Sequence, residues 1–241
     1  MAEKGSPMLF ADFKLLTFDI VGTCIDFEKG ILDAVRAIGG PAAAKLTDDE
    51  IFAPYLAGRE KFPGRSSIVI RNVFLHAAKE LGLSHDDAAG DAFMRHFFSF
   101  PAFPDSVDAL RRLRRHFRLV AMTNFDRVAY SACANTLELP FHDSVTVDDA
   151  QYPKPDPRFF SYNVGRQSVF GYRQEDILHV AQSQYHDIGV ARALGYKVCW
   201  IERRKGMKGF GGTPAPKEMT TPDFHFATLG ELADAVERER S

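Results

Sequence analysis

Four groups of polar residues stand where apolar runs of the sequence stop, and together they could carry out nucleophilic chemistry. They are Asp19 before Ile-Val-Gly-Thr, the pair Thr123 and Asn124, Lys154 between prolines, and Asp187 after Gln-Ser-Gln-Tyr-His. One carboxylate can serve as a nucleophile and a second can activate water, while a hydroxyl and an amide can bind an oxyanion or a carboxylate. Singly, each group also suits a turn, a helix cap or a solvated surface lysine. Because they follow different runs in order, we interpret them as one site at the edge of a sheet.

The elements that must position these residues alternate between strands and helices. Each apolar run is short and bounded by polar or glycine-containing segments, as in parallel strands covered on both faces. Strands are predicted over 15–20, 117–124, 177–182 and 197–202, with shorter ones within 143–148 and 224–227, and helices over 107–115, 187–194 and 229–237. This alternation predicts an α/β fold, a doubly wound parallel-sheet core of the Rossmann-like kind.

One long segment, 26–100, interrupts the alternation. Helical periodicity over 31–38, 48–61, 67–81 and 85–98 predicts an inserted four-helix cap. The core is then predicted to comprise 9–25 and 101–241, with the prolines near Phe100 marking the return. The Gly-, Lys- and Pro-rich stretch 203–222 is predicted to be a surface loop.

Composition limits the possible partners and compartment. The formal net charge of the 241 residues is −2, which gives no reason to expect nucleic acid or an anionic membrane as a partner. No apolar run reaches the roughly 18 residues of a membrane span, and we expect no signal peptide. Cys24, Cys133 and Cys199 are widely spaced and odd in number, so we interpret them as buried free thiols in a reducing cytoplasm.

These motifs, taken in order, resemble those of the haloacid dehalogenase superfamily over nearly the whole chain. The stretch Phe-Asp-Ile-Val-Gly-Thr around Asp19 resembles the first motif, in which the aspartate is the nucleophile. Thr123 with Asn124 resembles the second motif, Lys154 the third, and the stretch ending at Asp187 the fourth. The helical insertion is similar to the four-helix cap of the family.

Two positions separate this chain from the magnesium-dependent phosphatases of that superfamily. Phosphatases carry a second aspartate two residues after the nucleophile, where this chain has Val21, and valine cannot transfer a proton. Their paired acids in the fourth motif are reduced here to Asp187, because Gln182 occupies the first position. The chain instead resembles the type II 2-haloacid dehalogenases, so we expect a small carboxylic acid substrate, no metal and no cofactor.

The resemblance also implies a role for each site residue. Asp19 would attack carbon, release halide and form an ester; Lys154 would hold Asp19 ionised and Asp187 would orient or deprotonate the water that cleaves the ester. Arg59 would supply the cap cation for the substrate carboxylate or the halide, with Arg65 as its competitor. The remaining predicted substrate-binding residues are Thr23, Thr123, Asn124, Ser183, Gln184 and His186, and Thr23 is also expected to hydrogen-bond Asp19.

Several departures from the dehalogenase pattern keep alternatives open. Val21, Phe160, Gln182 and Gln184 replace residues that are usual in that branch. The fourth motif and the Gly-Phe-Gly-Gly-Thr stretch are similar to a divergent subgroup that includes an azetidine-carboxylate hydrolase. Opening of such a ring would need a proton donor, and His186 or Tyr185 is the candidate. A phosphatase and a non-catalytic binding module are further alternatives, and a homodimer is a possible assembly.

Overall fold

A six-stranded, all-parallel sheet forms the centre of the protein in the computed structural model, which describes residues 8–241. The spatial order of its strands is β3-β2-β1-β4-β5-β6. The strands are β1 Leu15–Phe18, β2 Arg118–Thr123, β3 Asp143–Thr146, β4 Ile177–Ala181, β5 Lys197–Ile201 and β6 Phe224–Phe226. Because β1 lies between β2 and β4, the carboxyl ends of these three strands meet at the middle of one sheet edge.

Helices cover both faces of this sheet and bury its central strand completely. All four residues of β1 are buried, with Leu15 in one apolar cluster and Leu16 in the other. The helices outside the 26–100 segment are α5 Ser106–Leu113, α6 Arg127–Thr136, α7 Val147–Ala150, α8 Pro157–Ser168, α9 Gly189–Ala193 and α10 Leu229–Arg240. The predicted doubly wound, Rossmann-like fold is therefore confirmed, and burial on both faces explains the continuous apolar runs.

Four helices lie between β1 and the rest of the sheet, in the segment predicted to form the cap. They are α1 Phe27–Ala43, α2 Asp48–Lys61, α3 Ser66–Glu80 and α4 Asp87–Phe97. They pack on one another through aromatic contacts such as the stacked rings of Phe74 and Phe93, whose centroids are 4.4 Å apart. The division into a core of 9–25 and 101–241 and a cap of 26–100 stays a prediction.

The first of these helices is longer than its periodicity indicates. The helix predicted over 31–38 begins at Phe27 in the structure and continues through the Gly-Gly-Pro stretch to Ala43. Gly40 interrupts it with φ 54° and ψ −139°, a conformation that glycine adopts at little cost. The glycine therefore makes a kink within α1.

Three helices outside the 26–100 segment, α6, α7 and α8, have no counterpart in the sequence prediction. Asp126 caps α6 by accepting from the backbone N–H groups of Val128 and Ala129, and Asp156 caps α8 by accepting from the N–H of Arg158. The caps of α6 and α8 are aspartates, which are also common in turns. Within residues 8–241, no helix is both long enough and apolar enough to cross a membrane.

Candidate active site

Asp19 lies in the turn that follows the central strand and is buried. Its backbone N–H donates to the carbonyl of Val180 on β4, which fixes its position against the neighbouring strand. The Thr23 hydroxyl donates to Asp19 Oδ2 at 2.7 Å. Gly22 has φ 95°, a left-handed conformation that a side chain would strain, and it lets the turn close beneath the carboxylate.

The ammonium group of Lys154 joins the two predicted catalytic carboxylates. Its Nζ donates to Asp19 Oδ1 at 2.8 Å, to Asp187 Oδ1 at 2.7 Å and to the backbone carbonyl of Met122 at 2.9 Å. All three ammonium protons are therefore used, and the side chain is almost fully buried. A surface lysine, the ordinary alternative, is excluded by this geometry.

Asn124 holds the loop that carries this lysine. Its amide donates to the backbone carbonyl of Lys154 at 2.9 Å, and its side-chain carbonyl accepts from the backbone N–H of Lys154 at 2.7 Å. The hydroxyl of Thr123 accepts from the N–H of Phe125. Both residues line the cavity described below, so the predicted contact with a substrate carboxylate stays a prediction, beside this positioning role.

The pKa values of the three buried groups at the cavity floor are shifted in different ways. Burial would lower the pKa of Lys154, but the two carboxylates raise it above its ordinary value. Burial would also raise the pKa of Asp187, yet Lys154 and His179 hold it down to about 2. Burial raises the pKa of Asp19, with Lys154 opposing this and Asp187 adding to it. Asp187 is thus the more firmly ionised carboxylate.

Asp187 lies inside a π-helical turn, Gln184–Ile188, that directly precedes α9. The sequence places it at the start of a helix, and its ordinary structural explanation is a helix cap. That explanation is wrong, because Ser183 is the cap and accepts from the N–H of His186. The Oδ2 atom of Asp187 is buried and has no hydrogen-bond partner among the described residues, whereas Oδ1 accepts from both Lys154 and His179.

His179 is the residue of this cluster that the sequence analysis does not identify. It lies in β4, is fully buried, and places Nε2 at 3.1 Å from Asp187 Oδ1 and Nδ1 at 2.8 Å from the Thr17 hydroxyl. A signal does exist in the sequence, since a histidine interrupts the apolar run Ile-Leu-His-Val-Ala. Buried histidines are uncommon unless both ring nitrogens find partners.

A cavity of about 470 Å³ opens above the carboxylates. Its floor comprises Asp19, Lys154 and Asp187, and its walls include the aromatic residues Phe27, Tyr55, Phe97, Phe100 and Phe125. This volume and apolar lining suit a small organic molecule. A larger cleft of about 910 Å³ lies between α1, α2 and the loop 203–211, but none of the three floor residues lines it.

Of the two arginines considered for the cap cation, Arg59 is the one that reaches the cavity. Arg59 lies in α2 and lines the cavity, and its Nη1 atom is buried with no hydrogen-bond partner among the described residues. Arg65 does not line the cavity; its Nε lies 2.6 Å from Asp148 Oδ1 and more than half of its side chain is exposed. An unpaired, buried guanidinium N–H suits a carboxylate or halide ligand.

Three residues of the fourth motif have different environments. Ser183 and His186 line the cavity, and burial lowers the pKa of His186 below its ordinary value. Gln184 does not line it, because its amide donates to the carbonyl of Thr220 and accepts from the N–H of the same residue. The structure therefore places Gln184 as an anchor of the loop near Thr220, not as the predicted substrate contact.

Thr23, which was predicted to bind substrate, also lies outside the cavity lining. Its hydroxyl is fully buried, donates to Asp19 and accepts from the N–H of Gln182 at 2.9 Å, which leaves it committed to protein groups. The expected hydrogen bond to Asp19 is present. The geometry thus gives Thr23 a place beneath the nucleophile and outside the cavity lining.

The loop predicted to lie on the surface also contributes to the cavity. Gly212, Thr213 and Pro214 line it, and the N–H of Gly212 donates to Glu28 at 2.9 Å, which ties the loop to α1. A Cβ on Gly212 would lie 2.4 Å from the ring of Phe27, so only glycine fits there. The glycine-rich stretch 209–213 was the feature of the sequence that could have indicated this contribution to the cavity.

A divalent cation does not fit the residues present. Within residues 8–241, no three His, Cys, Asp or Glu side chains come together in a way that could hold a metal ion. Asp19 and Asp187, the two carboxylates at the cavity floor, each accept from the ammonium of Lys154. We therefore assign no step to a metal.

Comparison with known proteins identifies the family of this chain. The sequence profile of the haloacid dehalogenase-like hydrolases matches residues 13–195. The chain is 30% identical over 168 residues to haloacetate dehalogenase H-2 of Moraxella sp. (strain B), covering 68% of this chain and 70% of that one. It is 31% identical over 129 residues to an (S)-2-haloacid dehalogenase of Pseudomonas fluorescens, covering 52% of this chain and 55% of that one.

Solved structures share the fold at lower sequence identity. The L-2-haloacid dehalogenase of Xanthobacter autotrophicus, determined with chloropropionic acid covalently bound, superposes with a TM-score of 0.70 at 18% identity, over 93% of this chain and 98% of that one. The profile match covers more than half of the residues. The protein therefore belongs to the haloacid dehalogenase-like hydrolases, and it is an enzyme of the hydrolase class.

Proposed function

We propose that this protein is a metal-independent hydrolase of small 2-substituted carboxylic acids, most simply a 2-haloacid dehalogenase that forms an aspartyl ester on Asp19. The observation that carries the proposal is the position of Lys154, which is bonded to Asp19 and Asp187 beneath the cavity. This arrangement leaves one carboxylate at the cavity floor as a nucleophile and the other with a free oxygen to act as a base.

In the first half-reaction, a carboxylate oxygen of Asp19 attacks C2 of the substrate. A carbon–oxygen bond forms, the carbon–halogen bond breaks, and the halide leaves with the electron pair without needing a proton. This agrees with the absence of an acid at Val21, which lines the cavity. The guanidinium of Arg59 would bind the substrate carboxylate or the departing halide, and Thr123, Asn124 and Ser183 would complete the contacts.

In the second half-reaction, Asp187 Oδ2 accepts a proton from a water that attacks Cγ of Asp19. The bond between Cγ and the ester oxygen, which came from Asp19, then breaks, and that oxygen leaves on C2 of the substrate and takes the proton to give a 2-hydroxy acid. Asp19 is left with one oxygen from water and returns to its ionised form by releasing a proton. General base assistance of this kind contributes roughly 10²–10⁴-fold.

Halide release in the presence of EDTA tests this proposal. The wild type should release chloride from chloroacetate or 2-chloropropionate at an undiminished rate when EDTA is added. Asp19→Asn should fold normally and lose release by at least about 10³-fold, since an amide is a poor nucleophile. Asp187→Asn should release one chloride per enzyme and retain an adduct on Asp19. Absence of chloride from any haloacid, with a folded enzyme, would contradict the dehalogenase assignment.

The phosphatase alternative is disfavoured by two residues. Val21 lines the cavity and provides no proton for an alkoxide leaving group, and Gln182 stands at the first of the paired acidic positions of the fourth motif. We expect no hydrolysis of p-nitrophenyl phosphate with magnesium present. Magnesium-dependent hydrolysis that is lost in Asp19→Asn would reverse this assignment.

A second candidate function is the opening of a strained cyclic amino acid, because the cavity contains a group able to carry a proton. His186 lines the cavity next to Asp187, and an amine leaving group needs a proton where a halide does not. Incubation with azetidine-2-carboxylate should then yield the amino hydroxy acid, and His186→Phe should abolish this product more strongly than it affects chloride release. If no ring-opened product forms, this candidate is excluded.

We also propose a reducing compartment, the cytoplasm, on the basis of the cysteines. Cys24, Cys133 and Cys199 are free and buried, as expected where thiols are kept reduced. Homodimerisation stays a prediction.

A further inference from the structure

The buried histidine on β4 has partners on both sides. Thr17 and His179 face each other across neighbouring parallel strands, since β1 and β4 pair them in register. His179 is fully buried, with the rings of Phe160 and Tyr196 packed edge-on against it at centroid distances of 5.5 and 6.4 Å. An apolar aromatic residue would fill this space, so packing does not require an imidazole.

The hydrogen bonds determine which nitrogen carries a proton. A carboxylate only accepts, so the nitrogen that faces Asp187, Nε2 at 3.1 Å, must be the donor. In a neutral ring Nδ1 is then the acceptor, and the Thr17 hydroxyl at 2.8 Å donates to it. Thr17 therefore fixes the tautomer of His179, and His179 directs its N–H at Asp187.

This contact decides how the Asp187 carboxylate is turned. Oδ1 accepts from Lys154 at 2.7 Å and from His179 at 3.1 Å, whereas Oδ2 has no partner among the described residues. Lys154 is shared with Asp19, so a single bond from its ammonium would not stop the carboxylate from rotating. A second donor fixed on a strand holds Oδ1 inward and leaves Oδ2 for a water.

We propose that His179, supported by Thr17, is a positioning residue for the second half-reaction, holding Asp187 with Oδ2 available to the water that cleaves the ester. This inference rests on the proposed function. Neither His179 nor Thr17 contacts Asp19 or lines the cavity. Substitutions at these two residues should therefore slow hydrolysis of the ester without slowing its formation. Misplacement of a catalytic group by about 1 Å costs up to about 10²-fold in rate.

Steady-state and pre-steady-state kinetics with 2-chloropropionate test the proposal. In His179→Phe, the first turnover of chloride release should stay within about twofold of wild type, while hydrolysis of the ester slows at least about tenfold. Consequently kcat and KM should fall together, kcat/KM should be retained, and mass spectrometry should find the adduct on Asp19 during turnover. A merely structural role would instead lower kcat/KM and leave no adduct.

Two further variants refine the test. His179→Gln retains an N–H that can face Asp187, so it should restore much of the hydrolysis rate. Thr17→Val leaves the tautomer unfixed and should give a smaller loss, about threefold. His225→Phe is a matched control, because His225 is an exposed strand histidine that contacts Glu202 away from the cavity. Its kinetics should equal those of the wild type.

Nitrogen-15 NMR of the ring provides a readout that needs no turnover. At neutral pH, Nδ1 of His179, assigned by comparison with His179→Gln, should have the chemical shift of an unprotonated nitrogen. A protonated Nδ1, or adduct-free kinetics of His179→Phe with a kcat/KM loss, would overturn the proposal while leaving the dehalogenase assignment intact. If the wild type forms neither chloride nor an adduct, the proposed function is wrong, and so is the role of His179 that rests on it.

Discussion

The floor and the roof of the cavity are built differently. On the floor, which comprises Asp19, Lys154 and Asp187 at the strand ends, every ammonium proton of Lys154 and three of the four carboxylate oxygens have partners. The roof comprises α2 and the loop 212–214, and α2 presents Tyr55, Leu56 and Arg59 to the cavity. The Nη1 atom of Arg59 is buried and has no partner among the described residues. The floor is thus held mainly by contacts within the protein, whereas the roof offers a guanidinium N–H for a ligand to satisfy.

The largest effect is expected from breaking the floor. Lys154→Met would leave two buried carboxylates without their cation, and breaking a buried ion pair in this way costs about 3–5 kcal/mol of unfolding free energy. Chloride release should fall at least about 10³-fold. Urea unfolding and halide assays would measure both losses.

The pH dependence of that variant separates charge from packing. Protonation of the stranded carboxylates at lower pH should restore part of the lost stability of Lys154→Met relative to wild type. A stability difference that is the same at pH 5 and pH 8 would contradict the role of Lys154 as a counter-charge.

A smaller effect is expected at the roof. Arg59→Met should raise KM for 2-chloropropionate and lower kcat/KM by about 10–100-fold, while the unfolding free energy changes little, because the lost contacts are made to ligand. Arg65→Met is the matched control, since Arg65 pairs with Asp148 outside the cavity lining. Equal kinetics of the two variants would remove Arg59 from the site.

The smallest effect concerns the ionisation of the nucleophile. Attack requires ionised Asp19, and burial raises the pKa of this carboxyl above its ordinary value of 3.8. Activity is therefore lost as the pH falls through that raised value, so the acid limb of kcat/KM should lie above 3.8. Circular dichroism at each pH would separate this limb from unfolding. An acid limb of kcat/KM at or below pH 3.8 would contradict the raised pKa of Asp19, and with it the difference in pKa between Asp19 and Asp187.

The comparison also explains what the sequence could predict. Parallel strands bring their carboxyl ends to one edge, so the order of Asp19, Thr123, Lys154 and Asp187 was enough to predict that these residues would lie together. The resemblance to known dehalogenases pointed to Arg59, and the structure places it at the cavity. The rule that sites form at the carboxyl ends of parallel strands was therefore enough to predict the residues of the floor.

The remaining features depend on contacts between distant residues. Gln184 turns away from the cavity because Thr220, 36 positions later, binds its amide. The orientation of His179 depends on a hydrogen bond to Thr17, which lies 162 positions earlier on the neighbouring strand. The loop 212–214 reaches the cavity because Glu28 holds it. Local periodicity contains none of this information, and short capped helices such as α6 leave only a weak local signal.

Isotope labelling of Asp19 tests the central claim most directly. In a single turnover of 2-chloropropionate with excess enzyme in ¹⁸O-labelled water, we predict that the label enters the Asp19 carboxylate and that the released lactate is unlabelled, because water attacks Cγ of the ester. Mass spectrometry of the peptide that contains Asp19, with Asp26 as an internal reference, measures this incorporation. Label found in the lactate and not in Asp19 would mean that water attacks the substrate directly, and it would contradict the assignment of Asp19 as the nucleophile.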